Sequence, residues 1–165
     1  MDCSHIQFCI AEGCSLRDPY RSQGDLNQLQ ALLEVGTFWA KKRSIEDLRI
    51  AIANSNPVVS VWDKERLIGF ARATSDAIYR ANIWDVVIDP DYRGAGLGRK
   101  LVETVLSHPR MNRVERVYLM TTHQQRFYER IGFECNSSTT MVLDNQPLAS
   151  SLSVQEMQFQ ESPGG

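Results

Sequence analysis

The sequence lacks any long apolar run. In 165 residues, no stretch approaches the roughly 20 consecutive apolar side chains that a membrane-spanning helix needs. Residues 1–5 also lack the basic region and following apolar segment that open a secretory signal. We therefore expect a cytoplasmic protein with no membrane partner.

Metal-binding and nucleic-acid-binding patterns are absent as well. The 4 cysteines form no Cys-x-x-Cys pair, and the 3 histidines (His5, His108 and His123) do not fall at metal-ligand spacing around them. We expect reduced thiols and no metal. The formal net charge of -2 leaves no large excess of positive charge for phosphate backbones, so nucleic acid is not an expected partner.

The composition is that of a globular protein. Apolar residues make up 42% and charged residues 23% of a chain long enough to bury its own core. Beyond residue 145 the chain turns to Gln, Ser, Pro and Gly with few apolar residues. We expect one domain over residues 1–145 and a flexible tail over residues 146–165.

Hydrophobic periodicity predicts a mixed α/β order of elements. Leucines at three- and four-residue spacing predict a helix that ends near Gly36, and Ser44 is a candidate cap for a second helix. Residues 83–88 form an almost unbroken apolar run, which is typical of a central strand covered on both faces. The other predicted strands cover residues 6–10, 58–62, 67–73, 114–120 and 139–143, and later helices cover 97–108 and 124–131.

A glycine-rich loop follows the apolar strand, with the sequence DPDYRGAGLGRK over residues 89–100. Alternate glycines permit positive φ, so several backbone N–H groups can converge on one anion at a helix N-terminus. Arg93, Arg99 and Lys100 add positive charge. The pattern indicates a pyrophosphate site.

Two other nucleotide-binding loops fit less well. A P-loop needs Lys and then Ser or Thr after its last glycine, whereas Gly98 precedes Arg99. A Rossmann site places its glycines after the first strand of a repeated parallel unit, but these follow an expected antiparallel hairpin in mid-chain.

Two segments resemble a known family. The run RGAGLG at residues 93–98 resembles the R-x-x-G-x-G/A signature of the GCN5-related N-acetyltransferases (GNAT), and RFYERIGF at residues 126–133 resembles their second marker. The order of elements from Ile6 to Leu143 is similar too. The segment WDVVIDP at residues 84–90 most resembles the cyanobacterial and plastid branch, whose plant members acetylate serotonin and protein amines.

The resemblance implies the GNAT fold, a mixed sheet of six to seven strands flanked by about four helices and splayed between the fourth and fifth strands. It implies direct acetyl transfer from acetyl-CoA to a primary amine, on a small molecule such as serotonin or on a protein lysine or N-terminus. Members often form dimers, so a homodimer is a further expectation, and plastid stroma is the alternative compartment.

The resemblance also assigns acetyl-CoA contacts to two backbone segments. The first pairs with the pantetheine arm and the second holds the pyrophosphate. The pantetheine segment is Val86, Val87 and Ile88, and the pyrophosphate segment is Arg93, Gly94, Ala95, Gly96, Leu97, Gly98 and Arg99.

Three side chains are catalytic candidates. Tyr128 matches the family tyrosine that protonates the departing thiolate, although a tyrosine beside phenylalanines is also a common core residue. Asp85 is a candidate general base because a carboxylate in an apolar strand is costly unless it is used or paired, for example with Arg72. His123 is the competing base, and its alternative reading is a histidine exposed in a loop.

The acceptor pocket is less defined. Four aromatic residues are candidates for its walls, and three acidic residues favour a cationic acceptor. The aromatic candidates are Phe38, Trp39, Tyr79 and Trp84, and the acidic ones are Asp76, Asp85 and Asp89. A non-catalytic acetyl-CoA sensor is the alternative function, which the presence of Tyr128 and Asp85 disfavours.

Overall fold

The computed structural model describes residues 5–11 and 23–145. By their contacts the residues divide into two units, Met1–Phe133 and Glu134–Gly165. The described elements of the first unit are strands β1 (Ile6–Ala11), β2 (Val58–Asp63), β3 (Arg66–Ser75), β4 (Arg80–Ile88) and β5 (Arg116–Tyr118), and helices α1 (Gln23–Gly36), α2 (Ile45–Ala53), α3 (Leu97–Ser107) and α4 (Gln125–Glu129), with a 3₁₀ turn at Pro90–Tyr92.

The described strands form one mixed sheet in the order β1-β2-β3-β4-β5. The first four pair antiparallel, and β5 runs parallel to β4. This confirms the mixed α/β fold, with five described strands instead of six to seven.

The strand predicted over residues 139–143 is wrong. Residues 134–145 of the second unit contain no regular secondary structure, and Met141, Val142 and Leu143 are 85–90% exposed. A local preference for extended backbone does not make a strand unless neighbouring side chains pack on it. The predicted tail over residues 146–165 lies outside the described residues.

The two helices before β2 form as their sequences predict. Leu26, Leu29 and Leu33 of α1 are fully buried. Ser44 caps α2, because its Oγ accepts a hydrogen bond from the Asp47 N–H at 3.0 Å and donates one to Asp47 Oδ2 at 2.7 Å. The Ser44 cap therefore defines where the connection from α1 ends.

Helices cover both faces of the sheet. Helices α1 and α2 pack on one face against residues such as Trp62, Phe70 and Val87. Helix α3 packs on the other face, where Ile83 and Ile88 contribute to the core. The cover on both faces predicted for β4 is confirmed, but β4 is the fourth of the five described strands and not the middle one.

Strand β4 contains a bulge that decides which side chains face which core. Trp84 pairs with Arg72 and Val87 pairs with Phe70, so β4 advances by three residues where β3 advances by two. Asp85 lies within this interval and has a left-handed backbone with φ 56°. Simple alternation would place Ile83 and Val87 on one face. The extra residue instead turns Val87 toward α1 and α2 and returns Ile88 to the face of α3.

None of the helices in residues 23–145 is long and apolar enough to cross a membrane.

Candidate active site

The sheet opens between β4 and β5. The two strands pair only at Arg80↔Arg116, Ala81↔Val117 and Asn82↔Tyr118. Within the described sheet, residues 83–88 of β4 have no strand partner on this side. The splay expected between the fourth and fifth strands is confirmed, and it shortens β5 relative to the predicted range of 114–120.

The glycine loop between the 3₁₀ turn and α3 adopts the conformation that its sequence permits. Gly94 and Gly96 have φ values of 86° and 78°, and Gly96 is the N-cap of α3. Gly98 differs, because it lies inside α3 without a positive φ. A Cβ added at Gly98 would lie 3.5 Å from Phe127 Cζ, an ordinary van der Waals distance, so α4 packs close to the start of α3 at this position.

Six successive backbone N–H groups, those of residues 94–99, are available at the start of α3. Within the described part of the chain, none of them donates a hydrogen bond. The first turn of α3 contains no acidic residue. Free N–H groups and the positive end of the helix dipole together favour an anion at this position.

The arginines around the loop have protein partners of their own. Arg93 Nε donates to the Ile88 carbonyl at 3.2 Å, and its Nη2 donates to the Gly36 carbonyl at 2.8 Å. Arg99 Nε donates to Glu103 Oε1 at 2.7 Å. Arg93 thus joins the end of β4 to the end of α1, and the unpaired backbone amides of the loop are the stronger candidates for binding an anion.

A polar cluster anchors the entrance to the glycine loop. Buried Asp89 accepts a hydrogen bond from the Asp91 N–H at 3.0 Å and another from Arg66 Nη2 at 2.7 Å. The Tyr92 hydroxyl donates to Asp63 Oδ2 at 2.5 Å, and this hydrogen bond raises the pKa of Tyr92. These contacts tie the 3₁₀ turn to the β2–β3 hairpin.

Tyr128 lies on α4, half-buried between two aromatic rings. Its ring makes edge-on contacts with Phe127 and Phe133, at centroid distances of 4.9 and 5.8 Å. No residue in the described ranges hydrogen-bonds to its hydroxyl. Burial raises the pKa of Tyr128 above the ordinary value for tyrosine, so this phenol stays protonated at neutral pH.

Asp85 is buried and paired. Its side chain is 5% exposed, and Oδ2 accepts hydrogen bonds from Arg43 Nη1 at 2.8 Å and Arg72 Nε at 2.6 Å. Arg72 Nη1 also donates to Ser55 Oγ at 3.1 Å. The pairing with Arg72 that the sequence left open is therefore present, and Arg43 is a second partner that sequence reasoning missed.

Arg43 belongs to the α1–α2 loop, residues 37–44, which lies beside the bulge of β4. The Arg43 guanidinium lies over the Trp39 ring at 5.4 Å. The Phe38 ring is 5.9 Å from the imidazole of His123, an exposed residue in the β5–α4 connection. The fold thus brings together aromatic residues and a base candidate that are about 85 residues apart in sequence.

Two residues proposed from sequence for the acceptor pocket lie elsewhere. Asp76 and Tyr79 form the β3–β4 hairpin, at the end of β4 opposite the glycine loop, about 30 Å away along an extended strand. Asp76 Oδ1 accepts hydrogen bonds from the N–H groups of Ile78, Tyr79 and Arg80, and those from Ile78 and Arg80 are the main cause of its lowered pKa. Asp76 stabilises a turn and does not face the site.

Within residues 5–11 and 23–145, no group of three or more His, Cys, Asp or Glu side chains is arranged to hold a metal ion.

Comparisons with known proteins agree with this geometry. The sequence matches the family model of the Acetyltransferase (GNAT) family over residues 26–133. It is 34% identical over 139 residues to the uncharacterized N-acetyltransferase ycf52 of Pyropia yezoensis, covering 79% of this chain and 74% of that protein. It is 36% identical over 132 residues to the histone acetyltransferase TAP1 of Glycine max, covering 71% of this chain and 56% of TAP1.

A solved structure shares the fold. A GNAT-family protein from Xanthomonas campestris pv. campestris superposes with a TM-score of 0.68 at 26% identity, covering 83% of this chain and 94% of that one. The splayed sheet, the glycine loop and both sequence markers occur within the matched region. The chain therefore belongs to the acetyltransferase (GNAT) family.

Proposed function

We propose that the protein transfers the acetyl group of acetyl-CoA to a primary amine. The observation that carries this proposal is the row of six N–H groups at residues 94–99, which have no acceptor in the described chain and lie at the start of α3 beside the open side of β4. A diphosphate is an anion with several oxygen acceptors, so it suits a row of N–H donors at the positive end of a helix dipole.

The open side of β4 suits the pantetheine arm. The Asp89 N–H donates to the Ile68 carbonyl of β3 at 2.8 Å, so the preceding residue, Ile88, directs its backbone groups toward the open side. The Ile88 carbonyl already accepts from Arg93. The backbone groups of Val86 and the Ile88 N–H remain as the candidates for pairing with the amides of the arm.

Tyr128 is the proposed general acid. In the transfer, the amine nitrogen bonds to the thioester carbonyl carbon, and the carbon–sulfur bond breaks. The Tyr128 hydroxyl donates its proton to the departing sulfur. Burial supports this role, because the raised pKa keeps the phenol protonated at the pH at which a thiolate forms.

His123 is the proposed acceptor of the proton lost by the amine, directly or through a water molecule. An imidazole exchanges protons readily near neutral pH, and His123 is exposed at the α1–α2 loop. Asp85 is less suited, since protonating it would weaken hydrogen bonds to two guanidinium groups. We assign Asp85 a positioning role, in which it holds the α1–α2 loop against β4.

The acceptor is a primary amine on a small molecule or a protein. The exposed Phe38 and Trp39 side chains would suit an arylalkylamine such as serotonin, while the relative named histone acetyltransferase TAP1 supports a protein amine. A homodimer, and location in the cytoplasm or plastid stroma, stay predictions.

The test is an assay of free thiol release from acetyl-CoA with arylalkylamines, polyamines and peptides as acceptors. We expect amine-dependent release, and calorimetry should detect binding of coenzyme A but not of NAD. Binding of coenzyme A without release for any amine would favour the non-catalytic sensor. Absence of coenzyme A binding would overturn the proposal.

A further inference from the structure

The α1–α2 loop has a defined conformation, held at both ends. The Thr37 Oγ1 hydroxyl donates to the Leu33 carbonyl at 2.7 Å and accepts from the Ala40 N–H at 3.2 Å. Gln30 Nε2 donates to the Arg43 carbonyl at 2.8 Å, and the Ala40 side chain is buried. The loop therefore presents its outer side chains from a fixed backbone.

Those outer side chains include an unneutralised pair of lysines. Lys41 and Lys42 are exposed, and neither forms an ion pair with any residue in the described ranges. Lys42 also has a left-handed backbone with φ 68°, a conformation that is costly for a residue with a side chain. Two free ammonium groups thus border the site next to Arg43.

The nearest acidic groups on α2 are already engaged. Glu46 pairs with Arg49 at 3.5 Å. Asp47 is hydrogen-bonded to the Ser44 cap. Neither of these carboxylates is paired with Lys41 or Lys42.

The three acidic residues that the sequence suggested for attracting a cationic acceptor are either paired with arginines or distant from the loop. Asp85 is shared by Arg43 and Arg72, and the cluster of these three groups has a net charge of +1. Asp89 pairs with Arg66, and Asp76 lies at the far hairpin. Together with Lys41 and Lys42, this cluster gives the loop side an excess of positive charge among the described residues, opposite to the acidic character expected from the sequence.

We infer that the α1–α2 loop selects an amine carried by an acidic polypeptide segment. This inference rests on the proposed function and names the acceptor class for the same site. Lys41 and Lys42 attract carboxylates that flank the acetylated amine, and Phe38 and Trp39, which are 64% and 46% exposed, provide apolar contact for the peptide. A lysine-rich segment is repelled by the same charges.

The test compares three peptides of equal length, each with one acetylatable lysine, flanked by glutamates, serines or arginines. Tryptamine is assayed in parallel as a small-molecule acceptor. At low ionic strength we expect kcat/KM for thiol release to be about tenfold higher with the glutamate peptide than with the arginine peptide, and we expect salt to narrow the difference.

The double variant Lys41→Glu, Lys42→Glu should reverse the peptide preference and leave the KM for acetyl-CoA unchanged. The control is Arg113→Glu, a single charge reversal at an exposed position in the connection between α3 and β5. This control should leave the preference as it is.

Equal rates with the three peptides, a preference for tryptamine over all of them, or an unaltered preference in the double variant would overturn the inference and leave acetyl transfer intact. Absence of thiol release with every acceptor would remove the proposed function as well.

Discussion

The glycine loop and the α1–α2 loop both adjoin β4, but they are built differently. In the glycine loop, one contiguous segment supplies the available N–H groups, and Gly94 and Gly96 set its backbone through positive φ. The α1–α2 loop is tied to the strand through Arg43 and Asp85, which are 42 residues apart in sequence. A proposed anion site can thus be local, whereas the proposed acceptor surface depends on long-range contacts.

The largest expected effect tests the long-range contact. Asp85→Asn should lower the free energy of unfolding by about 3 kcal/mol, because it leaves two guanidinium groups without their carboxylate in a largely buried cluster. Urea denaturation measures this change. Glu115→Gln, which breaks the exposed pair with Arg80, is the control and should cost less than about 1 kcal/mol. Equal losses in the two variants would show that the buried cluster does not stabilise the fold.

Next in size is the effect of Tyr128→Phe on turnover. Loss of the proposed acid should reduce kcat about 100-fold, with little change in the affinity for coenzyme A. Steady-state kinetics and calorimetry separate the two quantities. Tyr79→Phe, at the far hairpin, removes a hydroxyl outside the site and should leave kcat unchanged. Unchanged turnover in Tyr128→Phe would refute the assignment of the acid.

A smaller effect is expected in the glycine loop. Gly96→Ala introduces no steric clash, since an added Cβ would have no atom within 4 Å, but it does impose the cost of a left-handed backbone. The left-handed conformation costs alanine about 1 kcal/mol, so we expect the free loop to shift to a less strained backbone. Binding of coenzyme A must then restore the original backbone, which corresponds to roughly fivefold weaker binding.

Gly132→Ala is the matched control for the loop variant. Gly132 also has positive φ and open space at its Cβ position, but it follows α4. Calorimetric titration should show weaker coenzyme A binding for Gly96→Ala only. Equal weakening in both variants would mean that the effect is not specific to the glycine loop.

The smallest expected effect concerns pH. Burial raises the pKa of Tyr128, so as pH rises above about 10 the unfolded chain loses this proton before the folded protein does. The free energy of unfolding should therefore decrease with rising pH in this range. Tyr128→Phe should remove part of the decrease, which denaturation between pH 8 and pH 11 would measure. If the free energy of unfolding falls equally steeply with pH in the unmodified protein and in Tyr128→Phe, Tyr128 is more hydrated than its burial indicates.

Much of the fold was predictable because local patterns determine it. The leucine stripe of α1, the Ser44 cap and the apolar run of β4 each act within a few residues, and each appears in the structure as expected. The strand predicted at residues 139–143 was wrong because extended preference alone supplies no packing partner.

The candidate site was only partly predictable. The sequence indicated the glycine loop and named Tyr128, Asp85 and His123. It did not reveal the bulge at Asp85, and it placed Tyr79 and Asp76 too close to the site. Strand register and hairpin position decide such neighbours, and a single sequence has no local signal for them.

The sequence by itself determined the order of elements, the glycine loop and the membership of a family, since periodicity, turn chemistry and motifs lie within short segments. Only the tertiary structure decided that Arg43 and Arg72 share Asp85, and that Lys41 and Lys42 border the site without acidic partners in the described chain. The physical reason is that the potential at a surface sums charges from distant segments, and only the fold sets their distances.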